Sequence, residues 1–401
     1  MTGAGVTGAE RTLPGSEQVA ARLAVRRLML TDFRCYRSLR LETDPRPVVL
    51  TGPNGAGKTN LLEALSFLTP GRGMRRATLA DISRRDAGSP SGAVETPSSV
   101  PWAVAAALDG PSGRVEIGTG REQGSERRTV RIDGQPAKAQ ELAEIASALW
   151  LTPAMDRLFI EGASGRRRFL DRLVLGQDSG HARRSAAYEH AMRERTRLLK
   201  AGRADPSWLT ALEDAMAING VAVAEARRRA VARLDEACRQ GLGPFPAARL
   251  SLTGEVEGWL AEMAAAEAEE KLRGALRLAR ARDEAAGAAT LGPHRADFGV
   301  DHAAKNMPAG QCSTGEQKAV LVSIVLAQAR VRTALSGLAP LMLLDEVVAH
   351  LDQVRRAALF DELAGLNAQS WMTGTDEQLF DGFGDRAQFF QVADATVTAR
   401  Q

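Results

Sequence analysis

The sequence predicts an α/β fold interrupted by an inserted α-helical lobe, and three observations predict it. A Gly-rich loop at 52–59 stands between the apolar run 47–50 and a helix-like stretch at 60–68. A second apolar run, Leu341-Met342-Leu343-Leu344, ends in the carboxylates Asp345 and Glu346, 287 positions after Lys58. Between the two, from about 166 to 289, the chain is rich in Ala, Arg, Leu and Glu, and apolar residues recur every three or four positions, the periodicity of helices. At 401 residues the chain is too long for one core. It divides into a tail at 1–22, a first α/β half at 23–160, a helical lobe at 161–289 and a second α/β half at 290–401.

Each segment has its own signal. The stretch 1–17 is rich in Gly and Thr and lacks the basic-then-apolar order of a signal peptide, which predicts a disordered tail. Short apolar runs at 28–30 and 39–41, with Phe33-Arg34-Cys35-Tyr36 as a turn between them, begin a sheet. Ser, Pro, Gly and Thr crowd 86–101, a long surface loop. Strands follow at 102–108, 113–117 and 129–132, the last closed by the turn residues Asp133-Gly134. In the helical lobe, 218–238 carries Arg227, Arg228 and Arg229 inside its pattern, and 241–246 breaks it. A coiled coil would give the same periodicity, but the breaks leave no run for a long arm, so a compact lobe is expected. After Leu291 strand and turn signals return.

The loop Gly52-Pro53-Asn54-Gly55-Ala56-Gly57-Lys58-Thr59 has the form of a phosphate-binding loop. Its glycines let backbone N–H groups curl around a polyphosphate, and the helix that follows points its positive end at the same charge. Lys58 would reach the β- and γ-phosphates and Thr59 would ligate Mg²⁺. A Gly-rich turn before an amphipathic helix is the bland alternative. Asp345 would hold Mg²⁺ and Glu346 would polarise the attacking water, although an acidic pair also closes many structural strands.

Ser313-Thr314-Gly315-Glu316-Gln317 opens a long amphipathic helix, 318–333, and offers a second set of backbone donors. One chain cannot easily wrap both loops around one nucleotide, so this loop is expected to cap the γ-phosphate held by a second copy. A Ser-Thr-Gly helix cap explains the same residues. Ala349-His350-Leu351-Asp352 leads into a further helix, which places Asp352 where a residue could cross a dimer seam. Trp371-Met372-Thr373-Gly374-Thr375-Asp376 reads as a short strand ending in polar residues, and its end would lie near the γ-phosphate. The Asn-Lys-x-Asp element that reads guanine is absent and the two halves of the site are far apart, which favours ATP over GTP.

Composition narrows the function classes. Hydrophobic content of 44% and charged content of 25% are those of a globular chain. No apolar run approaches the roughly eighteen residues of a membrane helix. Cys35, Cys238 and Cys312 lie far apart, as do the five histidines, so no disulfide framework or metal-ligand pair is visible and a cytoplasmic setting fits. A net charge of +3 permits a nucleic-acid partner without requiring one. Arginines cluster at 75–76, 84–85, 166–168, 183–184 and 227–229, whereas aromatic content is only 4%. DNA contact is therefore expected through phosphates rather than stacked bases, with Arg75, Arg76 and 227–229 as candidates. Such clusters are also common on solvated helix faces.

Taken together these motifs resemble the RecF family, bacterial recombination mediators related to SMC proteins and to ATP-binding cassette heads. The match runs from about Leu23 to Thr396. It includes Asp32-Phe33-Arg34-Cys35-Tyr36, the phosphate loop extended through Asn60-Leu61-Leu62-Glu63-Ala64, and Arg166-Arg167-Arg168-Phe169-Leu170-Asp171. Gly292-Pro293-His294-Arg295, the Ser313 loop and the stretch from Leu343 to Asp352 complete it.

The resemblance implies a P-loop ATPase head of ABC type, lobe I, built from both chain ends, with a helical lobe II and no long coiled coil. It implies that Arg34, Asn60, Ser313, Gly315, Gln317 and Asp352 join the phosphate loop in contacting ATP. ATP would drive a head-to-tail homodimer that grips double-stranded DNA at gaps and stalled forks. With RecO and RecR it would promote RecA loading, and a weak, DNA-dependent ATPase would release it.

Ala296 departs from the family's usual acid, and no histidine stands at the switch position near Thr373. His294 and Arg295 carry no role that the sequence discloses, a buried structural pair or a functional one. Two rivals share the fold's logic: a cassette ATPase coupled to a membrane partner, and an interaction module that binds ATP without turning it over.

Overall fold

The structure, a computed structural model, describes residues 22–84, 100–111, 113–202 and 205–400. Apart from Arg22, Val100 and Pro101, the expected tail and the expected 86–101 loop lie outside the described residues.

The first half of the chain begins with a hairpin. Strands β1 (Ala24–Phe33) and β2 (Tyr36–Glu42) pair antiparallel with Phe33 opposite Tyr36, so Arg34 and Cys35 form the turn, as the sequence predicts. Then come β3 (Val48–Thr51), α1 (Lys58–Ser66) and the single turn α2 (Leu79–Ile82). Strands β4 (Trp102–Gly110), β5 (Gly113–Arg121), β6 (Thr129–Ile132) and β7 (Gln135–Ala137) follow, then α3 (Leu142–Ile145) and β8 (Ala148–Leu151). Asp133 and Gly134 have φ of 48° and 79°, the left-handed pair that a tight hairpin between β6 and β7 needs.

The middle is not helical throughout. Helices α4 (Ala163–Leu175), α5 (His181–Lys200) and α6 (Pro206–Arg239) are followed by a strand, β9 (Ala248–Thr253), before α7 (Glu255–Glu262), α8 (Ala265–Leu278) and α9 (Arg280–Ala286). The expectation of helix after helix from about 166 to 289 is thereby corrected, since a strand follows the break at 241–246. Arg-Leu-Ser-Leu-Thr alternates, and β9 pairs with β10 (Asp297–His302), which also pairs with β11 (Met307–Pro308). α6 spans 34 residues, yet it packs along its length on α4, α5, α8 and β9 and forms no projecting arm.

The last segment supplies α10 (Thr314–Ser336), β12 (Leu341–Leu344), α11 (Gln353–Gly365), β13 (Ser370–Gly374), β14 (Gln388–Ala393) and β15 (Thr396–Ala399). α10 is not the amphipathic helix expected. Residues 317–329 are buried on every side, because the helix runs between the sheet strand β8 and α6. It is also long and apolar enough to cross a membrane, contrary to the reading of the sequence, but its burial inside the protein marks it as a core helix.

Two six-stranded sheets organise lobe I. One is antiparallel, in the order β2-β1-β4-β5-β6-β7; the other runs β15-β14-β3-β13-β12-β8, parallel from β14 to β8. β3, β12 and β13 are buried along their whole length, which explains their near-continuous apolar sequences. Alternate residues serve opposite faces. Leu50, Leu343 and Trp371 join a core with α1 and the antiparallel sheet, while Val49, Leu344 and Met372 face α4, α6 and α10. A third core, built around Tyr188, Met216, Val221 and Leu272, belongs to the helical lobe alone.

Candidate functional site at the carboxyl ends of the parallel strands

Register creates the site. Thr51 lies beside Gly374, and Leu344 beside Met372, so the loop after β3, the carboxylates after β12 and the end of β13 emerge at one edge of the sheet. Ligands of open α/β sheets bind outside such carboxyl ends. Gly52 and Gly57 are required there. A Cβ on Gly52 would stand 2.0 Å from Val392 O, and one on Gly57 would meet Tyr36 Oη at 2.7 Å and Cys35 Sγ at 2.8 Å. The β1–β2 turn therefore braces the loop from behind.

Lys58 is almost wholly buried and curls back to donate to the carbonyls of Gly52, at 2.7 Å, and Pro53, at 2.8 Å. Burial pulls its ammonium below the ordinary value, opposed by Glu346 and Asp345. The Thr59 hydroxyl donates to Asp345 Oδ1 at 2.8 Å. Thr373 donates to the same oxygen at 2.8 Å and accepts the Glu346 N–H at 2.9 Å. Glu346 itself has φ 53°, a left-handed conformation that is unusual for its residue type. Thr373 thus holds both carboxylate residues through its hydroxyl, a contact that the sequence reading missed. A hydroxyl residue ending a buried strand beside the acidic strand was the available signal.

Thr59 and Asp345 offer the hard oxygen donors that Mg²⁺ takes, and no group of three or more His, Cys, Asp or Glu among the described residues forms a metal cage. That combination fits an ion held by one carboxylate, a hydroxyl, waters and substrate phosphates.

The flanking residues are tied into a network. Arg34 grips the buried Glu63 with two N–H bonds, 2.8 and 2.6 Å, and donates to Asp81 O at 2.7 Å. Asn60 accepts from Arg75 at 2.9 Å and donates to Cys35 Sγ at 3.1 Å. Arg34 and Asn60 consequently sit beside the phosphate loop, with Arg34 largely engaged by Glu63.

Ser313, Thr314 and Gly315 are exposed at the start of α10. Ser313 donates through its N–H and hydroxyl to Glu316, at 3.1 and 2.9 Å, and Glu316 pairs with Lys305. Gln317 points inward to Cys312 O at 2.8 Å and so shapes this loop rather than joining its surface. Asp352 is exposed and caps α11 by accepting the Arg355 N–H at 2.9 Å. Among the described residues no hydrogen bond or ion pair links the Ser313 loop to the phosphate loop.

Other expectations are corrected. Arg227 is buried, bound to both oxygens of Asp171 at 2.7 and 2.9 Å and to Pro293 O, so it cannot face DNA. Arg228 and Arg229 remain at the surface beside Glu225. His294 is structural: its Nε2–H donates to Ala289 O at 3.0 Å, its Nδ1 accepts from Tyr188 Oη at 2.7 Å, and burial lowers its pKa. Arg295 is exposed, so the two do not form a buried pair.

The family model described as the RecF/RecN/SMC N terminal domain matches residues 24–397. The "DNA replication and repair protein RecF" of Rhizobium etli (strain CIAT 652) is 51% identical over 382 residues, covering 94% of this chain and 99% of that protein. The protein of the same name from Mesorhizobium japonicum (strain LMG 29417 / CECT 9101 / MAFF 303099) is 50% identical over 383 residues, 94% of this chain and 98% of its own. The chain belongs to the RecF family of SMC-like ATPases. Among solved structures, the recombination mediator protein RecF-ATP of the RecFOR pathway superposes with a TM-score of 0.80 at 21% identity, covering 95% of this chain and all of that one. The Smc head domain of Pyrococcus furiosus superposes at 0.52 with 15% identity, covering 94% and 96%. These likenesses show the RecF and SMC head fold, and among the described residues no helix projects as a long coiled coil.

Proposed function

We propose that this RecF-family chain is an ATP-switched DNA clamp that serves DNA replication and repair. Its phosphate loop binds ATP, and two copies close head to tail, each offering its Ser313–Gly315 turn to the nucleotide of the other. The single observation that carries the reading is the shared sheet edge where Lys58, Thr59, Asp345 and Thr373 meet while Ser313 and Gly315 stay exposed. Solved RecF is named as a complex with ATP and as a member of a RecFOR pathway. By that kinship the partners of this chain are RecO and RecR, the outcome is RecA loading, and the setting is the cytoplasm.

Residues of this chain divide the work. The loop amides and Lys58 bind the phosphates, with Lys58 exchanging its two carbonyl partners for phosphate oxygens. Thr59 and Asp345 would hold Mg²⁺, which when bound neutralises charge on the transferred phosphoryl group. Glu346 orients the attacking water, and Thr373 fixes the Glu346 backbone and the Asp345 carboxylate together. The exposed Asp352 and its neighbour Val354, 68% exposed, supply seam surface close to the acidic strand. Arg34 and Asn60 flank the bound nucleotide, and exposed Arg76 and Arg229, with the half-buried Arg228, are available to DNA phosphates.

Binding to a duplex should be measured with ATP, with ADP and without nucleotide, at two salt concentrations. The clamp requires tight binding with ATP only, weakening steeply as salt rises. Equal affinity in all three conditions refutes it.

A further inference from the structure

A cavity of about 270 Å³ lies where β8, α4 and the last turns of α10 meet, and Trp150, Arg172, Gln177 and Arg332 are in its wall. Of the fourteen buried side-chain polar atoms without a hydrogen-bond partner among the described residues, four belong to these residues: Trp150 Nε1, Arg172 Nε, Gln177 Oε1 and Arg332 Nε. Three of the four are donors, so the wall is short of acceptors. Buried donors left unpaired are costly, and native proteins leave few of them.

The two guanidinium groups are more unusual than their orphan atoms suggest. Arg172 lies over the rings of Trp150, at 4.6 Å, and Phe169, at 5.2 Å, and donates to Met155 Sδ at 3.5 Å. Arg332 donates to Gly176 O. Among the described residues neither pairs with a carboxylate. Burial draws Arg172 down to about 9, Arg76 adds like charge, and burial lowers Arg332 as well. Arg195 and Arg227 are built differently, each meeting carboxylates directly.

We propose that this cavity binds an apolar carboxylate, its anion held between Arg172 and Arg332 and its apolar body laid against Trp150, Pro70 and Leu175. A carboxylate brings about four acceptor sites and the counter-charge that neither guanidinium finds among the described carboxylates. The exposed Glu144 at the cavity opposes a dianion such as phosphate. The volume is below the usual ~300–1,000 Å³ of ligand pockets, which limits the apolar part to about one aromatic side chain. An occupant would touch β8, neighbour of the strand that ends in Asp345, and α10, whose opposite end carries the Ser313 turn.

The test uses the full chain without nucleotide, so its outcome is separate from that of the ATPase reading. N-acetyl-phenylalanine and its amide are titrated by calorimetry and by thermal shift, with inorganic phosphate as a control. The carboxylate should bind saturably and raise the melting temperature, as any ligand of the native state does. The amide should bind at least about tenfold more weakly. Arg332→Gln should weaken the carboxylate by a similar factor. Ala143→Phe, which fills the cavity and leaves both arginines in place, should abolish binding, so a misfolded arginine variant does not decide the matter.

A tripeptide ending in phenylalanine separates the sources. Tighter binding than the free acid assigns the site to a chain terminus, and exclusion assigns it to a small metabolite. No saturation by the wild type up to about 10 mM carboxylate overturns the proposal. So do equal affinities for acid and amide, preference for phosphate, or undiminished binding by Ala143→Phe.

Discussion

The Thr59 hydroxyl and the Asp345 carboxylate lie 2.8 Å apart across 286 positions of sequence. Neither residue reaches the other through its own strand. β13 lies between β3 and β12, and its Thr373 donates to the same carboxylate oxygen. The acidic strand, the phosphate loop and Thr373 are therefore one hydrogen-bonded unit.

Thr373→Val keeps the shape of the side chain and removes both hydrogen bonds. Steady-state hydrolysis should fall about 10–100-fold, the usual effect of removing a group that orients a metal ligand. ATP affinity, measured separately, should change little. A variant that hydrolyses at the wild-type rate shows that Thr373 does not position the acidic pair.

Lys58→Ala should cost nucleotide affinity about tenfold or more, since a hydrogen bond to a charged group contributes about 1.5–3 kcal/mol. Glu346→Gln should bind ATP normally and accumulate dimer, which light scattering reads directly. Ser313→Arg should keep ATP binding by the monomer and lose the dimer. If nucleotide affinity collapses together with dimerisation in Ser313→Arg, the turn serves its own subunit.

In the helical lobe, Arg195 is fully buried, with Nε 3.0 Å from Glu213, a terminal nitrogen 2.6 Å from Asp283, and a bond to Leu276 O. Arg195→Met leaves the buried Asp283 without a cationic partner, whereas Glu213 keeps its two bonds to Arg280. Urea unfolding should register a loss of about 3–5 kcal/mol, the cost of breaking a buried pair from one side. Arg228→Ala, at the surface, should stay within about 0.5 kcal/mol of wild type.

Acid should weaken the contact between α4 and α6. Burial by itself would raise the Asp171 carboxyl, but hydrogen bonds from His181 and Arg227 outweigh it and hold the group at about 2. A carboxyl depressed in the folded state stabilises fully above its unfolded value, about 3.9, and loses that contribution as pH falls towards 2. Stability measured between pH 5 and pH 2 should therefore drop less steeply in Asp171→Asn, which begins from a lower plateau.

How much was legible in advance depended on how local each signal was. The phosphate loop, the acidic strand, the Arg34–Cys35 turn and the Asp133–Gly134 turn are set by adjacent residues, and each was found where its sequence placed it. β9 was missed because its partner, β10, lies about 50 residues on and the helical periodicity around it dominates. α10 was expected to be amphipathic, yet its few polar residues do not gather on one face. Gln317 and Gln328 are in fact buried and hydrogen-bonded to backbone carbonyls.

The helical lobe was expected to be a unit, yet α6 contributes Ala226, Leu234 and Cys238 to the core it shares with α10, and Met216 and Val221 to the lobe's own core. Periodicity reports which face of a helix is apolar, not which neighbour covers it.

By itself, then, the sequence determined the local chemistry: a glycine loop free to curl around phosphate, hard-oxygen donors for a divalent cation, and a serine-glycine turn opening a helix. Only the tertiary structure decided which of the many arginines are spoken for, since Arg227 and Arg228 are neighbours in the chain and differ wholly in burial and partners. The physical reason is that the free energy of a charge depends on what surrounds it in three dimensions. Those surroundings come from segments that sequence order keeps far apart.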